Sequence, residues 1–438
     1  MVAALTHALG PAHLDLAEEA VQEALVKALQ HWPFHGVPDD PAAWLIRVAR
    51  NRALDILRRG TTRRDKAGDV RRLLEASPPT QPGDREAVAR LDGGPTDDQL
   101  RLIFLCCHPD LPRDAQVALT LKTVCGFGVE EIAAAFLTKP ATIAQRLVRA
   151  KRRLKSLDAR FEFPSRRQLP HRLDGVMEVL YLLFNEGYAA HRGEALLRAD
   201  LCDEALRLTV ALAHLPATDR PVVHGLAALM LFQASRAEAR MDAAGELVLL
   251  DDQDRDRWDR RLIARAFAHM ERSAQGDQIT PYHLQAAIAA EHAMAPSDAA
   301  TDWPEILGLY DRLYRLQPSP IIALNRAVAL ARVEGPTAGL EAVDALASTN
   351  ILADYAHLHA TRARFLADLG QRRQAAEACR KAARLTDSAP QRRFLKRLEA
   401  TLRVPRTVPQ SKSRPRPLTR GDSPCSFCEE SERQEIIV

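Results

Sequence analysis

Aromatic residues are scarce, at 5% of the chain, and valine and isoleucine are few beside alanine, leucine and arginine. Strands draw on β-branched and aromatic side chains, so this balance favours helix over sheet. No apolar run approaches the ~18–20 residues that span a bilayer. The N-terminus lacks a basic stretch followed by an apolar one, so no signal peptide is expected and the cytoplasm is the expected location. Cysteine is limited to Cys106, Cys107, Cys125, Cys202, Cys379, Cys425 and Cys428. The number is odd and follows no framework spacing, which fits a reducing compartment. There is no Gly-rich phosphate loop and no nucleophile–base arrangement, so neither an enzyme nor a cofactor is expected. Cys425 and Cys428 form a lone C-x-x-C without the second pair that a zinc site needs, and no metal is expected. The formal net charge is only +4. A nucleic-acid surface would therefore have to come from local clustering of cations.

The 438 residues are enough for two to four domains. Residues 1–60 read as helices. Asp15 with Glu18 resembles a capping box. Ala17, Val21, Ala24 and Ala28, flanked by Leu25, Leu29 and Trp32, form an apolar stripe behind it. Pro33 to Pro41 break the pattern, and a second helix is predicted from Pro41 to Arg59. Residues 61–97 form a linker punctuated by Ser77-Pro78-Pro79 and Gly93-Gly94-Pro95, with room for a short helix at 84–91. Residues 98–158 are helical again: Val129 to Phe136, a turn at Leu137–Pro140, then Ala141–Leu157. That is helix-turn-helix organisation. Residues 171–402 are helical by pattern. Leu324, Asn325 and Ala331 recur as Leu358, His359 and Phe365 at a period of 34, as in tetratricopeptide-like helix pairs. Gly335 recurs as Gly370 at a spacing of 35, and Gly370, Ala375 and Ala382 are small residues that would let paired helices approach. Asp251–Asp259 lacks the glycine and terminal glutamate of a calcium loop and reads as capping or salt-bridge chemistry. The Pro-, Arg- and Ser-rich tail at 403–438 is predicted to be disordered.

The densest chemistry lies between Lys139 and Lys155, which hold seven basic residues and no acidic one. Ile143, Leu147, Ala150 and Leu154 are anchors at helical spacing. Thr142, Gln145, Arg146 and Arg149 therefore project from the face that the anchors leave free. Such side chains suit base-edge reading in the major groove, where arginine chelates guanine. Lys151, Arg152 and the remaining cations suit phosphate neutralisation. By charge alone, a solvent-facing basic helix would look the same; the preceding helix and turn favour DNA.

Two separated segments resemble the extracytoplasmic-function sigma factors. Asp15-Leu16-Ala17-Glu18-Glu19-Ala20-Val21-Gln22-Glu23-Ala24, followed by Pro41-Ala42-Ala43-Trp44-Leu45-Ile46-Arg47-Val48-Ala49-Arg50-Asn51-Arg52-Ala53-Leu54-Asp55, looks like sigma regions 2.2 to 2.4. Glu130-Glu131-Ile132-Ala133 through Thr142-Ile143-Ala144-Gln145-Arg146-Leu147-Val148-Arg149-Ala150-Lys151 looks like region 4.2. The remainder resembles a subgroup with a C-terminal tetratricopeptide-like extension, through Leu183-Phe184-Asn185-Glu186-Gly187-Tyr188, Leu201-Cys202-Asp203-Glu204-Ala205 and Asp252–Asp259. The expected fold is all-α: two small sigma helical domains, the second a helix-turn-helix, and a helical repeat extension.

The resemblance implies roles. Asp15, Glu18, Glu19, Gln22 and Glu23 would dock on the clamp helices of the core RNA polymerase largest subunit. Asn51 and Asp55 would touch the −10 element, and the Phe34–Ala42 loop would hold a flipped base. Arg47, Arg50 and Arg58 would grip phosphates, while Trp44 favours packing over base stacking. Thr142, Gln145, Arg146 and Arg149, with Lys151 and Arg152, would serve the −35 element. The linker would run near the polymerase active centre and RNA exit path. The extension would regulate activity and offer a surface to a protein regulator. Two departures stand out. Only Val2–Leu9 precede the first cap, which implies a shortened first sigma helix or a start codon upstream. Lys139-Pro140 replaces the usual polar start of the recognition helix. The competing reading is a helix-turn-helix regulator with a repeat sensor domain, which would need no polymerase contacts.

Overall fold

The structure, a computed structural model, describes residues 1–61, 97–135, 138–157, 161, 163–165, 167–188 and 199–403. Among these residues the secondary structure is α-helical, with short 3-10 turns and one isolated bridge between Met241 and Leu247. The linker helix expected at 84–91, Phe136, and the tail with Cys425 and Cys428 lie outside the described residues. The chain divides into two compact units. One holds Met1–Glu186 and Asp200–Asp219; the other holds Gly187–Ala199 and the residues from Arg220 onward.

The first unit opens with α1 (Val2–Leu9), α2 (Leu14–His35) and α3 (Pro41–Thr61). Leu5, Leu9, Ala17, Ala20, Val21, Ala24, Ala49 and Ala53 form their common buried core. Alanine at these inward positions lets the helix backbones come close. Three details differ from expectation. The capping box at Asp15 is absent: a 3-10 turn at Pro11–His13 leads straight into the helix, and Asp15 sits in its first turn. Pro33 does not end α2, because only its last turn follows. The stop is Gly36, whose φ of 78° reaches the left-handed region open to glycine. Leu25 and Leu29 are not core but 44% and 76% exposed.

The same unit continues with α4 (Asp97–Cys106), α5 (Arg113–Thr123), α6 (Val129–Ala135) and α7 (Pro140–Ser156). Then come α8 (Leu169–Tyr188) and α9 (Ala199–His214). The expected division between 158 and 171 is not where the chain parts. Arg172 of α8 donates to the Phe104 carbonyl at 3.3 Å, and Arg113 pairs with Glu178 at 2.9 Å. A Cβ on Gly175 would lie 2.7 Å from Gln116 Oε1, so glycine permits that close approach. Arg207 of α9 donates to Gln99 at 2.7 Å. The first two helices of the extension thus belong structurally with α4 and α5.

The second unit contains α10 (Pro221–Ser235), α11 (Arg260–Ser273), α12 (Pro281–Met294), α13 (Trp303–Leu316) and α14 (Pro320–Glu334). It closes with α15 (Pro336–Ser348), α16 (Ala356–Asp368), α17 (Arg372–Leu385) and α18 (Ala389–Arg403). α14 packs on α15, and α16 on α17, as successive helix pairs joined by short turns. The repeat residues Leu324 and Leu358 are fully buried. Gly335 and Gly370 have φ of 98° and 73°, so their period marks the turns. Gly370 does not serve helix approach, because nothing lies within 4 Å of the place its Cβ would take. Gly339 does: a Cβ there would meet the Ala331 Cβ at 2.5 Å. The Asp251–Asp259 stretch caps and pairs, as its composition implied. Asp259 accepts from the Arg261 and Leu262 backbone N–H groups at 2.7 and 3.1 Å, capping α11.

Candidate nucleic-acid interface

At the start of helix α6 the Gly128 backbone N–H donates to Glu131 Oε2 at 2.6 Å. Ile132 and Ala133 turn inward. Pro140 opens α7 at its first position, where no backbone N–H is needed, so the Lys139-Pro140 departure sets the start cleanly. Ile143, Leu147, Ala150 and Leu154 are all buried, as the spacing predicts. They pack on α5, whose Val117, Ala118 and Leu121 are also buried. The opposite face is set by this packing: Thr142, Gln145, Arg149 and Arg152 are exposed. Arg149 and Arg152 make no ion pair among the described residues.

Other cations of α7 are engaged. Arg146 is half-buried and pairs with Asp114 at 2.8 Å; Arg153 pairs with Asp110 at 3.0 Å. Lys151, expected at DNA, is instead turned to α2. Its Nζ lies 2.9 Å from Asp15 Oδ1 and 2.6 Å from Glu18 Oε2. Burial works against the Lys151 ammonium, but the Glu18 and Asp15 carboxylates outweigh it and hold its pKa above the usual value. The sequence gives no local signal of this pairing, because the partners are more than a hundred positions apart.

On α3 the exposed residues Arg47, Asn51, Asp55 and Arg58 recur at helical spacing and share one face, with half-buried Arg50 beside them. Asp55 and Arg58 approach only to 4.0 Å. Arg52 is tied to Glu23 of α2 at 2.8 Å, and this pairing raises its pKa. Glu19 and Gln22 are exposed, as a docking face requires, whereas Glu18 and Glu23 are half-buried and engaged. Beside them Leu25, Val26 and Leu29 form an exposed apolar strip; the sequence reading had set Leu25 and Leu29 along the apolar stripe. Phe34 and Val37 are 83% and 65% exposed. Trp44 is half-buried, edge-on to Trp32 at 5.6 Å and stacked on His31 at 6.0 Å, so packing holds it. Asp40 accepts from the Ala43 N–H at 2.9 Å and fixes the start of α3.

No group of three potential metal ligands occurs among the described residues. Cys106 is buried beside Thr123 at 3.3 Å, and burial pushes its thiol up to about 12. It is chemically quiet. No helix among the described residues is long and apolar enough to cross a membrane.

Two exposed polar helix faces, one on α3 and one on α7, are thus joined to a helix-turn-helix in one chain. Residues 2–63 match the family Sigma-70 region 2, and residues 101–154 match Sigma-70, region 4. The chain belongs to the sigma-70 family. It is a sigma factor of transcription initiation, with core RNA polymerase and promoter DNA as its partners. Residues 172–274 match a family of unknown function, DUF6596. An uncharacterized protein of Rhizobium meliloti (strain 1021) is 44% identical over 407 residues, covering 92% of this chain and 94% of its own length. No solved structure matches.

Proposed function

We propose that this sigma factor reads a promoter at two places, through α3 and through α7, and belongs to the extracytoplasmic-function group. The observation that carries the reading is the pair of exposed polar faces, each fixed by buried anchors on its far side. Thr142, Gln145 and Arg149 read −35 base edges from the N-terminal half of α7, and Arg152 meets phosphate. Arg146, held by Asp114, stands behind them. Asn51 and Asp55 touch the −10 strand, and Arg47, Arg50 and Arg58 hold the backbone around it. The Phe34–Ala42 segment, with Phe34 and Val37 outward, receives a flipped base. Glu19 and Gln22, with the apolar strip of Leu25, Val26 and Leu29, dock on the polymerase clamp helices; Asp15, Glu18 and Glu23 complete that face. An exposed apolar strip of this kind marks an interaction surface.

The tetratricopeptide-like extension regulates activity through a protein partner. The helix pairs α14–α15 and α16–α17 support this reading, since stacked pairs build extended binding surfaces. Its test is truncation after Asp219, which keeps α8 and α9 with the helices they cover. Unchanged activity and promoter choice would remove the regulatory role. The wider reading is tested with core polymerase on a promoter template. Specific initiation is expected only when both are present. Specific duplex binding by the chain alone, with no polymerase-dependent initiation, would mark an ordinary helix-turn-helix regulator instead.

A further inference from the structure

Helices α17 and α18, which close the second unit, hold ten cations and three carboxylates between Arg372 and Arg403. That is an excess of seven, against a formal net charge of +4 for the whole chain. Packing gathers these cations on the outside. Ala375, Cys379 and Ala382 are buried on one side of α17, so Arg373, Lys381 and Arg384 share its opposite, exposed face. Phe394, Leu395, Leu398 and Leu402 anchor α18 in the same way and leave Lys396, Arg397 and Arg403 exposed.

The two faces meet at Glu399. Its carboxylate takes Arg380 of α17 at 2.9 Å and Arg403 at 2.6 Å. Arg372 donates to the Thr401 carbonyl at 2.7 Å, so the helices run antiparallel, and Arg384 comes near the level of Lys396. Glu246, from outside the pair, holds both Arg393 and Arg397 at 3.2 Å. One carboxylate for two guanidiniums leaves each cluster positive. Lys381, Arg384 and Lys396 make no ion pair among the described residues. Arg380 and Arg384, Arg392 and Lys396, and Arg393 and Arg397 stand four residues apart, where like charges repel on a helix. An ordinary solvent-facing surface intersperses the two signs. A surface that collects one sign against its own repulsion fits a polyanion that relieves it.

No large apolar side chain of either helix is exposed. The surface offers nothing on which bases would stack and no apolar patch for a protein. It suits the phosphate backbone of a duplex, which guanidiniums and ammoniums neutralise without regard to sequence. The charge continues along the chain, since residues 404–421 hold five cations and no carboxylate.

We propose that α17 and α18 form a further, sequence-independent DNA surface that grips duplex phosphates, distinct from the faces of α3 and α7. Such a contact strengthens binding to any duplex and adds no discrimination between sequences.

The test is salt-dependent binding of the full chain, without polymerase, to a short duplex of arbitrary sequence. The slope of log affinity against log salt should fall by about 0.9 for each phosphate contact removed, so Lys381→Ala/Arg384→Ala/Lys396→Ala should lower it by roughly 2–3 and Lys396→Ala alone by about 0.9. Lys381→Arg/Lys396→Arg keeps the charge and should keep the slope. Arg261→Ala/Arg265→Ala/Arg312→Ala removes three exposed cations elsewhere in the second unit and should leave the slope unchanged. Absence of duplex binding by the unsubstituted chain, an unchanged slope in the triple variant of α17 and α18, or an equal fall in the control overturns the proposal. So does tighter binding to single-stranded RNA of the same length, which would assign the surface to a transcript. Weakened binding to core polymerase with duplex binding intact would assign it to an acidic protein face instead, and also overturns it. With core polymerase and a randomised promoter library, the triple variant should select the same sequences as the unsubstituted chain. A shifted selection would contradict a contact made to backbone alone.

Discussion

The two compact units each show one of two opposite uses of arginine most plainly. In the first, Arg47, Arg149 and Arg152 stand on exposed helix faces without an ion pair among the described residues. In the second, four guanidiniums are drawn inward. Arg364 is 6% exposed and lies 3.1 Å from Asp251, itself 6% exposed. Arg332 joins the same carboxylate, reaches Asp298 at 3.2 Å and lies over the Trp303 ring at 4.7 Å. Arg255 donates to the Ala295 carbonyl at 2.9 Å and to Thr301 at 3.2 Å. Arg240 is buried over the Tyr188 ring at 3.9 Å and donates to the Tyr188 carbonyl. A count of cations therefore marks no DNA surface by itself. The distance to the nearest carboxylate or carbonyl separates an exposed cation from a structural tie.

The sharpest way to break this comparison is to remove one arginine of each kind. Arg364→Ala takes away one of the two guanidiniums that hold buried Asp251 and leaves Arg332 alone on it; loss of a partner in a buried pair costs up to roughly 3–5 kcal/mol. Calorimetry should show a clear fall in the melting temperature of the second unit. Arg149→Ala should leave stability within about 0.5 kcal/mol, as exposed substitutions do. It should weaken promoter binding by the complex with core polymerase, whereas Arg152→Ala, at a phosphate, should flatten the salt dependence by a slope of about 0.9. Similar stability losses in the two variants would erase the distinction.

Acid offers a second separation. His292 is buried, and burial, with the nearby Arg236, Arg255 and Arg332 cations, lowers its pKa to about 3. The unfolded chain takes up this proton near pH 6.5 while the folded chain does not. The contribution is thus fully present above pH 6.5 and is lost as pH falls from 6.5 toward 3, by up to about 1.4 kcal/mol per pH unit. His292→Phe should remove that part of the slope from the second unit. An unaltered acid profile would show that another group carries it.

Smaller effects separate the two kinds of glycine. Gly339→Ala should cost about 1–3 kcal/mol, because the added methyl meets Ala331 and Phe365. Gly370→Ala has open space and should lose only about 1 kcal/mol, through its backbone conformation. Equal melting shifts in the two variants would show that helix approach does not matter at Gly339.

Much of this was legible in the sequence, for local reasons. Ile143, Leu147, Ala150 and Leu154 repeat at the period of a helix, so the face bearing Thr142, Gln145 and Arg149 followed from them. Arg47, Asn51 and Asp55 entered through the family resemblance, and the structure sets them on one exposed stripe of α3. Reading by spacing failed where apolar periodicity has two meanings. Leu25 and Leu29 continue the stripe of α2 but face outward, and spacing alone does not separate an exposed apolar stripe from a buried one. It failed again where the partner is distant. Lys151 looks like any other cation of its helix until Asp15 and Glu18 arrive from the other end of the fold. The division of the chain was hidden for the same reason. Gly175 and Arg172 of α8 gain their meaning only against Gln116 and Phe104.

The central claim, that α3 and α7 read separate promoter elements, is tested most directly by transcription in vitro. Core polymerase, this chain and a randomised promoter library would be used, with the initiated templates sequenced. Two conserved elements should emerge. Arg149→Ala should relax the upstream element alone, and Asn51→Ala the downstream one alone. A single selected element, or a selection unchanged in both variants, would contradict the account.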